Sequence, residues 1–275
     1  MEKLQSIEPY KEPLIMHSLQ YYPILREFED KISKDQIILK ANPSLENKII
    51  YTRNLLFYHQ MNVIATEVNS DIAKESLEHQ KDGWFIWLQV FSFTPGIHFK
   101  TKDEEFTYFF DKYFDKTLSE IDGNNYYNEC VSNYKCGNYY SCVCGLFPLI
   151  ENIEKEIAKF DGKKIFRIKE ALNNTHTPEG QRKEYFEKFE KNMNSFLKDN
   201  IYKVSTESDE EPKVISRNRI LHGIFTRKIN KTDCLKLMCI YKSMYCFNAW
   251  LKSLTMIKNL TEELKKLEEQ KNAQE

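Results

Sequence analysis

Chain breakers are scarce: the 275 residues hold only eight glycines and eight prolines, against 18 Phe, 16 Tyr and 3 Trp. So few turn-formers beside so much bulky side chain make helices the expected architecture, and a chain of this length can build a core without staples. Long apolar runs are missing too. The most apolar window, Trp84 to Phe93, is far short of the about 20 residues that cross a bilayer, so no membrane association is expected. Neither charge is in surplus, with 40 Lys+Arg against 41 Asp+Glu and a net charge of −1; a nucleic-acid site must therefore come from local patterning. P-loop, Rossmann glycine and H-E-x-x-H patterns are all lacking, which leaves no cofactor to expect. Seven cysteines, an odd number, occur without an apparent signal peptide, so reduced thiols in a soluble cytoplasmic protein are expected. Cys130, Cys136, Cys142 and Cys144 lie within fifteen residues but form no C-x2-C knuckle. They read as core thiols rather than zinc ligands, as do Cys234, Cys239 and Cys246, and no metal site is expected.

What the sequence does have is a local excess of cations. Lys213 to Lys231, KVISRNRILHGIFTRKINK, contains six Lys or Arg and no Asp or Glu. Within it, Arg217-Asn218-Arg219-Ile220-Leu221-His222-Gly223 combines permanent cations, an amide and an imidazole, the side chain that changes protonation near neutral pH. Such groups can cleave RNA without a metal: the 2′-OH is deprotonated and attacks the adjacent phosphorus, leaving a cyclic phosphate and a 5′-OH. That chemistry needs an acid/base group, which His222 can supply, and a cation on the phosphoryl oxygens, which Arg217 can supply through its fork. Arg219, Arg227 and Lys228 would track the flanking backbone.

Arg217, Asn218 and His222, with four residues between the Arg and the His, resemble the signature of the HEPN superfamily at its shortest spacing, and Gly223 follows as it often does there. The resemblance covers roughly the second half of the chain. It implies a helical bundle that commonly dimerises and pairs two copies of the motif, and many members are metal-independent endoribonucleases of toxins and phage defence. Glu151 is similar to an acidic residue that lines the cleft in several such families. The resemblance therefore implies a homodimer acting on RNA, with an antitoxin or defence-system protein as a candidate further partner. Geometry adds a constraint. On an ideal helix Arg217 and His222 lie roughly 140° apart, whereas Asn218 and His222 share a face. Either the helix starts irregularly near Arg217, or a second chain completes the site.

Taken in order, residues 1–45 mix Pro9, Pro13, Pro23 and Pro43 with aromatics, so short or interrupted helices are expected. A helical pattern then runs from Ser44, a candidate N-cap, to Glu78, with Ile49, Ile50, Leu56, Phe57, Met61, Ile64 and Val68 as its stripe. Trp84 to Phe93 is ambiguous between helix and strand and leans to helix. Phe106 to Leu118 is an aromatic helix closed by the Asp122-Gly123-Asn124-Asn125 turn, the best boundary between an N-terminal helical region, 1–123, and a HEPN-like domain, 124–275. One long helix is expected from Tyr126 to Phe160, kinked at Pro148. After a loop at 173–180, Tyr185, Phe189, Met193, Phe196 and Leu197 recur at helical spacing. Ser205 to Pro212 reads as an acidic, solvated loop. Thr232-Asp233 would cap a long last helix, whose Leu254, Ile257, Leu260, Leu264 and Leu267 suit a short coiled coil or a charged tail. This helix is the first candidate for dimer contacts.

Three functions compete: a ribonuclease, a non-catalytic RNA- or nucleotide-binding module, and a helical interaction protein. The architectural alternative has Arg217 paired with a carboxylate such as Glu151 and His222 as a helix histidine before a glycine cap. A second copy of the pattern, Arg53-Asn54 with His59, sits among bulky apolar residues with no basic excess and reads as coincidence.

Overall fold

The computed structural model describes residues 27, 29–68, 77–85, 100–112, 114–121, 123–159, 179–203, 213–224 and 227–274. Among them all regular structure is helical, as the composition predicts. After helical residues 29–41 (α1) come α2 (Leu45–Val68), a 3₁₀ turn (Leu77–Asp82), α3 (Lys102–Lys112), α4 (Phe114–Thr117), α5 (Asn125–Lys135), α6 (Tyr139–Ile157), α7 (Glu179–Phe196), α8 (Arg217–Leu221) and α9 (Lys231–Asn272).

The spine is α9, 42 residues long and therefore about 63 Å end to end. Its start is fixed by a capping box: Asp233 N–H donates to Asn230 Oδ1 at 3.2 Å, and Asn230 N–H to Asp233 Oδ2 at 2.9 Å. The cap is thus Asn230, three residues ahead of Asp233, because the asparagine accepts and the aspartate returns the bond. From Asp233 to Tyr241 every residue is buried; α2, α3 and α6 all pack on this helix.

The later stripe of α9, with Leu254, Ile257 and Leu260 buried, is covered by α2 of the same chain. The contact is antiparallel, Arg53 reaching Glu268 and His59 reaching Ser253. Helix α2 begins where the sequence predicts, Ser44 Oγ accepting from Asn47 N–H at 3.2 Å. Its buried face is narrower than expected. Ile49, Thr52 and Val63 are buried and Leu56 packs on the core, while Ile50 and Phe57 point out.

The expected long helix from Tyr126 is two helices. Gly137, at φ +76°, takes the left-handed conformation that only glycine adopts cheaply, and α5 folds back against α6. The two approach so closely that a Cβ on Gly145 would lie 2.6 Å from Cys130 Sγ. Pro148 stays inside α6, on its exposed side. The Trp84 window departs from its helical expectation at its start: Trp84 and Phe85 follow a turn, in no helix, and both are buried. Trp84 Nε1 donates to Asp103 Oδ1 at 2.8 Å, and its ring stacks 5.5 Å from Phe110. Phe85 meets Phe189 and Phe196 of α7, and Phe189 stacks on Phe247 of α9 at 3.7 Å.

Residues 86–93, the prolines at 9, 13 and 23, the loop at 173–178 and the acidic segment 205–212 lie outside the described residues. Glu179 and Gly180 belong to α7 rather than to the preceding loop. One hydrophobic cluster, from Val63 and Phe106 to Ile150 and Ile257, runs across the turn at Gly123, where Asn124 Nδ2 donates to Tyr241 Oη of α9 at 2.6 Å. Cys130, Cys142, Cys234 and Cys239 are buried in it, whereas Cys136 is exposed. No helix among the described residues is long and apolar enough to cross a membrane.

Candidate functional site

Helix α8 is short because both of its ends are pinned. Upstream, Val214, Ile215 and Ser216 are buried, and Ser216 Oγ donates to the carbonyls of Ile201 and Lys203 at 3.3 and 3.2 Å. Ser216 is extended (φ −79°, ψ 134°), so Arg217 is the first helical residue. Downstream, Gly223 at φ +69° ends the helix. Ile224 N–H reaches Arg219 O at 2.9 Å and Gly223 N–H reaches Ile220 O at 3.2 Å, the glycine-terminated bonding that satisfies last-turn carbonyls.

Arg217 and His222 therefore sit at opposite ends of this short turn, about 7.5 Å apart along its axis. Arg217 Nε forms an ion pair with Glu151 Oε1 of α6, both side chains half-buried. Asn218 Nδ2 donates to Tyr202 O at 3.0 Å, and Tyr202 Oη donates to Glu154 Oε2 at 2.7 Å. Burial, and then that bond to Glu154, push the Tyr202 phenol above its ordinary pKa, keeping it a neutral donor. His222 is the exposed C-cap, its backbone N–H on Asn218 O at 3.0 Å. The structure thus joins Arg217, Asn218 and Glu151, and it adds Glu154 and Tyr202, which sequence reasoning missed. Glu151 and Glu154 are three apart and so share a face of α6, the one signal that could have flagged Glu154.

The other cations of the basic stretch are placed differently from a backbone-tracking patch. Arg219 is buried at 3 % exposure. Arg227 grips Asp233 with two bonds of 2.6 Å. Lys231 pairs with Asp111 at 2.7 Å, and Lys213 lies 3.6 Å from Asp82 while donating to Lys81 O at 2.5 Å. Lys228 is exposed. The acids that balance this stretch come from α3, α6 and the 3₁₀ turn, far from it in sequence, and from Asp233 just beyond its end, so the local count overstated the field it presents.

Behind the stretch, Arg227 and Lys213 line a cavity of about 250 Å³ with Asp103, Asn230, Thr232, Asp233 and Lys236. Lys236 is buried, donates to Lys213 O at 2.7 Å and pairs with Asp103 at 2.9 Å. Burial pulls its ammonium below the usual lysine range, and Asp103 opposes that shift. This set of alternating charges fastens the basic stretch to α3 and α9.

No family model, curated protein or solved structure matches the chain.

Proposed function

We propose that the protein is a HEPN-type endoribonuclease that cuts RNA by 2′-OH attack without a metal, in the manner of toxins and antiviral-defence effectors. One observation carries this reading. Arg217, Asn218 and His222 lie on one short helix, with the Arg held over the Glu151–Glu154 face of α6 and the His exposed beside a glycine stop. In the reaction, Arg217 exchanges Glu151 for phosphoryl oxygens. His222 takes the 2′-OH proton as O2′ attacks phosphorus, and the bond to O5′ breaks. The products are a 2′,3′-cyclic phosphate and a 5′-OH, whose oxygen takes its proton from the protonated His222 imidazole. Glu151 holds the guanidinium until the phosphate displaces it, and Asn218 is held on Tyr202 O.

The separation of Arg217 from His222 favours a composite centre in a homodimer, with the Arg of one subunit and the His of the other. Helix α9, on which Leu264 and Leu267 stay half-buried beside α2, is the first candidate for the dimer contact. Mixing Arg217→Ala chains with His222→Ala chains restores activity at some sites if the centre is composite; it stays at background if both groups act from one chain.

The deciding experiment incubates the full chain with total RNA and EDTA, beside His222→Ala. Cyclic-phosphate ends formed in EDTA by the parent alone support the proposal. A strict Mg²⁺ or Mn²⁺ requirement, or 5′-phosphate products, sinks it. The pairing of Arg217 with Glu151 favours a second reading, in which Arg217 and His222 are architectural and the chain is a helical interaction protein, which the absence of both cleavage and salt-sensitive RNA binding would support; salt-sensitive binding without cleavage would instead mark an RNA- or nucleotide-binding module.

A further inference from the structure

Beyond the Arg217 centre, an open cavity of about 640 Å³ lies at the other end of the basic stretch, between Gly137–Ser141 and Arg227–Ile229. That volume lies within the range of small-molecule sites. The stretch runs back along α6: Arg217 meets Glu151, while Arg227 and Lys228 face residues 137–141. Twelve residues of helix separate Glu151 from Tyr139, about 18 Å, a span that a few nucleotides of single strand cover.

The walls of the cavity are chemically divided. On one side Lys228 is exposed, and Arg227 keeps its place through Asp233. On the other, Tyr140 is 51 % exposed and offers a ring, and Ser141 is exposed beside it. The start of α6 also lines it; there Cys142 N–H bonds Asn138 O, and the Asn138 side chain makes no cap bond. A cation and first-turn amides suit a phosphate, and an exposed aromatic face suits a base.

We infer that this cavity is a second RNA subsite, taking one nucleotide of a single strand a few positions from the scissile phosphate, its base on Tyr140 and its phosphate at Lys228. The inference rests on the protein acting on RNA, and it makes substrate length a determinant of affinity. Ring stacking is sequence-tolerant, so the subsite holds the strand without choosing its base.

The test uses the full chain carrying His222→Ala, whose cleavage is expected to be too slow to consume the probe, and a fluorescein-labelled, mixed-sequence single-stranded RNA decamer followed by anisotropy across a salt series. Tyr140→Ala is expected to weaken binding on the order of tenfold. Lys228→Glu is expected to weaken it and to make the salt slope shallower by about one. Lys266→Glu, on an exposed side of α9, controls for diffuse charge, and an unchanged melting temperature shows that each variant folds. Affinity unchanged in both cavity variants, or an equal loss with Lys266→Glu, overturns the subsite. The two proposals fail separately. Tyr140-dependent binding without cleavage by the His222-containing chain removes the ribonuclease and keeps the subsite. Cleavage whose KM ignores both cavity variants removes the subsite and keeps the ribonuclease.

Discussion

The chain spells Arg-Asn followed by His twice, and the two copies have been given different surroundings. In α2, Arg53 pairs with Glu268 at 2.6 Å, Asn54 Nδ2 donates to Asp35 at 2.6 Å, and His59 Nδ1 lies 3.2 Å from Ser253 Oγ in the contact with α9. Burial lowers the His59 pKa. In α8, Arg217 also meets a glutamate and Asn218 is also tied down, but His222 sits exposed at a helix end. The Arg and Asn do similar work in both places. What separates them is where the histidine falls: in mid-helix it is drawn into helix packing, and beside Gly223 it is left to solvent.

The strongest challenge to this contrast addresses the stretch around the second copy. Asp233→Ala removes the partner of the partly exposed Arg227 and half of the capping box, and it should lower stability by about 1–2 kcal/mol, the scale of a lost cap with a half-exposed pair. Chemical denaturation measures it; an unchanged midpoint would mean that Arg227 is a loose surface cation and the basic stretch a free patch after all.

At the histidines themselves, His222→Ala should cut RNA cleavage on the order of 10²-fold with no change in melting temperature. His59→Ala should leave cleavage intact and lower stability by about 1–2 kcal/mol. Reversed outcomes would exchange the roles of the two copies. The carboxylates should differ as well. Glu151→Gln frees Arg217 and should tighten RNA binding several-fold, whereas Glu268→Gln, in an exposed pair, should alter neither binding nor stability by more than about 0.5 kcal/mol. Anisotropy and melting on the two variants would expose any equivalence.

The smallest effect is a pH dependence. The folded pKa of His59 is depressed below its unfolded value, so its contribution to stability is complete above about pH 6.5 and is lost as pH falls towards the folded value. Melting curves of parent and His59→Gln should converge as pH is lowered through that window; a constant gap would place His59 in water.

The helical fold was legible because periodic apolar residues and few breakers leave little else to build. Ser44 announced its cap, and Phe189, Met193 and Phe196 announced a buried face. The break at Gly137 was hidden because the tyrosines and cysteines on either side continue an apolar pattern, and only the backbone shows the left-handed glycine. At the site, the glycine stop after His222 and the pairing of Arg217 with Glu151 were readable as the architectural alternative, while the five-residue length of the helix was not. Tyr202 and the compensation of Arg227, Lys231 and Lys213 were not. Lys231 with Asp111 and Lys213 with Asp82 join residues that the fold, not the local sequence, makes neighbours, and Asp233, only six residues from Arg227, reads in the sequence as a cap.

The pairing of α2 with α9 also fixes when the protein can exist. Arg53 and Glu268 are 215 residues apart in the chain, and at translation rates of about 5–20 residues per second the ribosome needs roughly ten to forty seconds to make the stretch between them. Until then Ile49, Leu56 and Val63 have no α9 to lie against. The first half of the chain must wait, shielded or exposed to chaperones, and completion of the last helix becomes the event that closes the core.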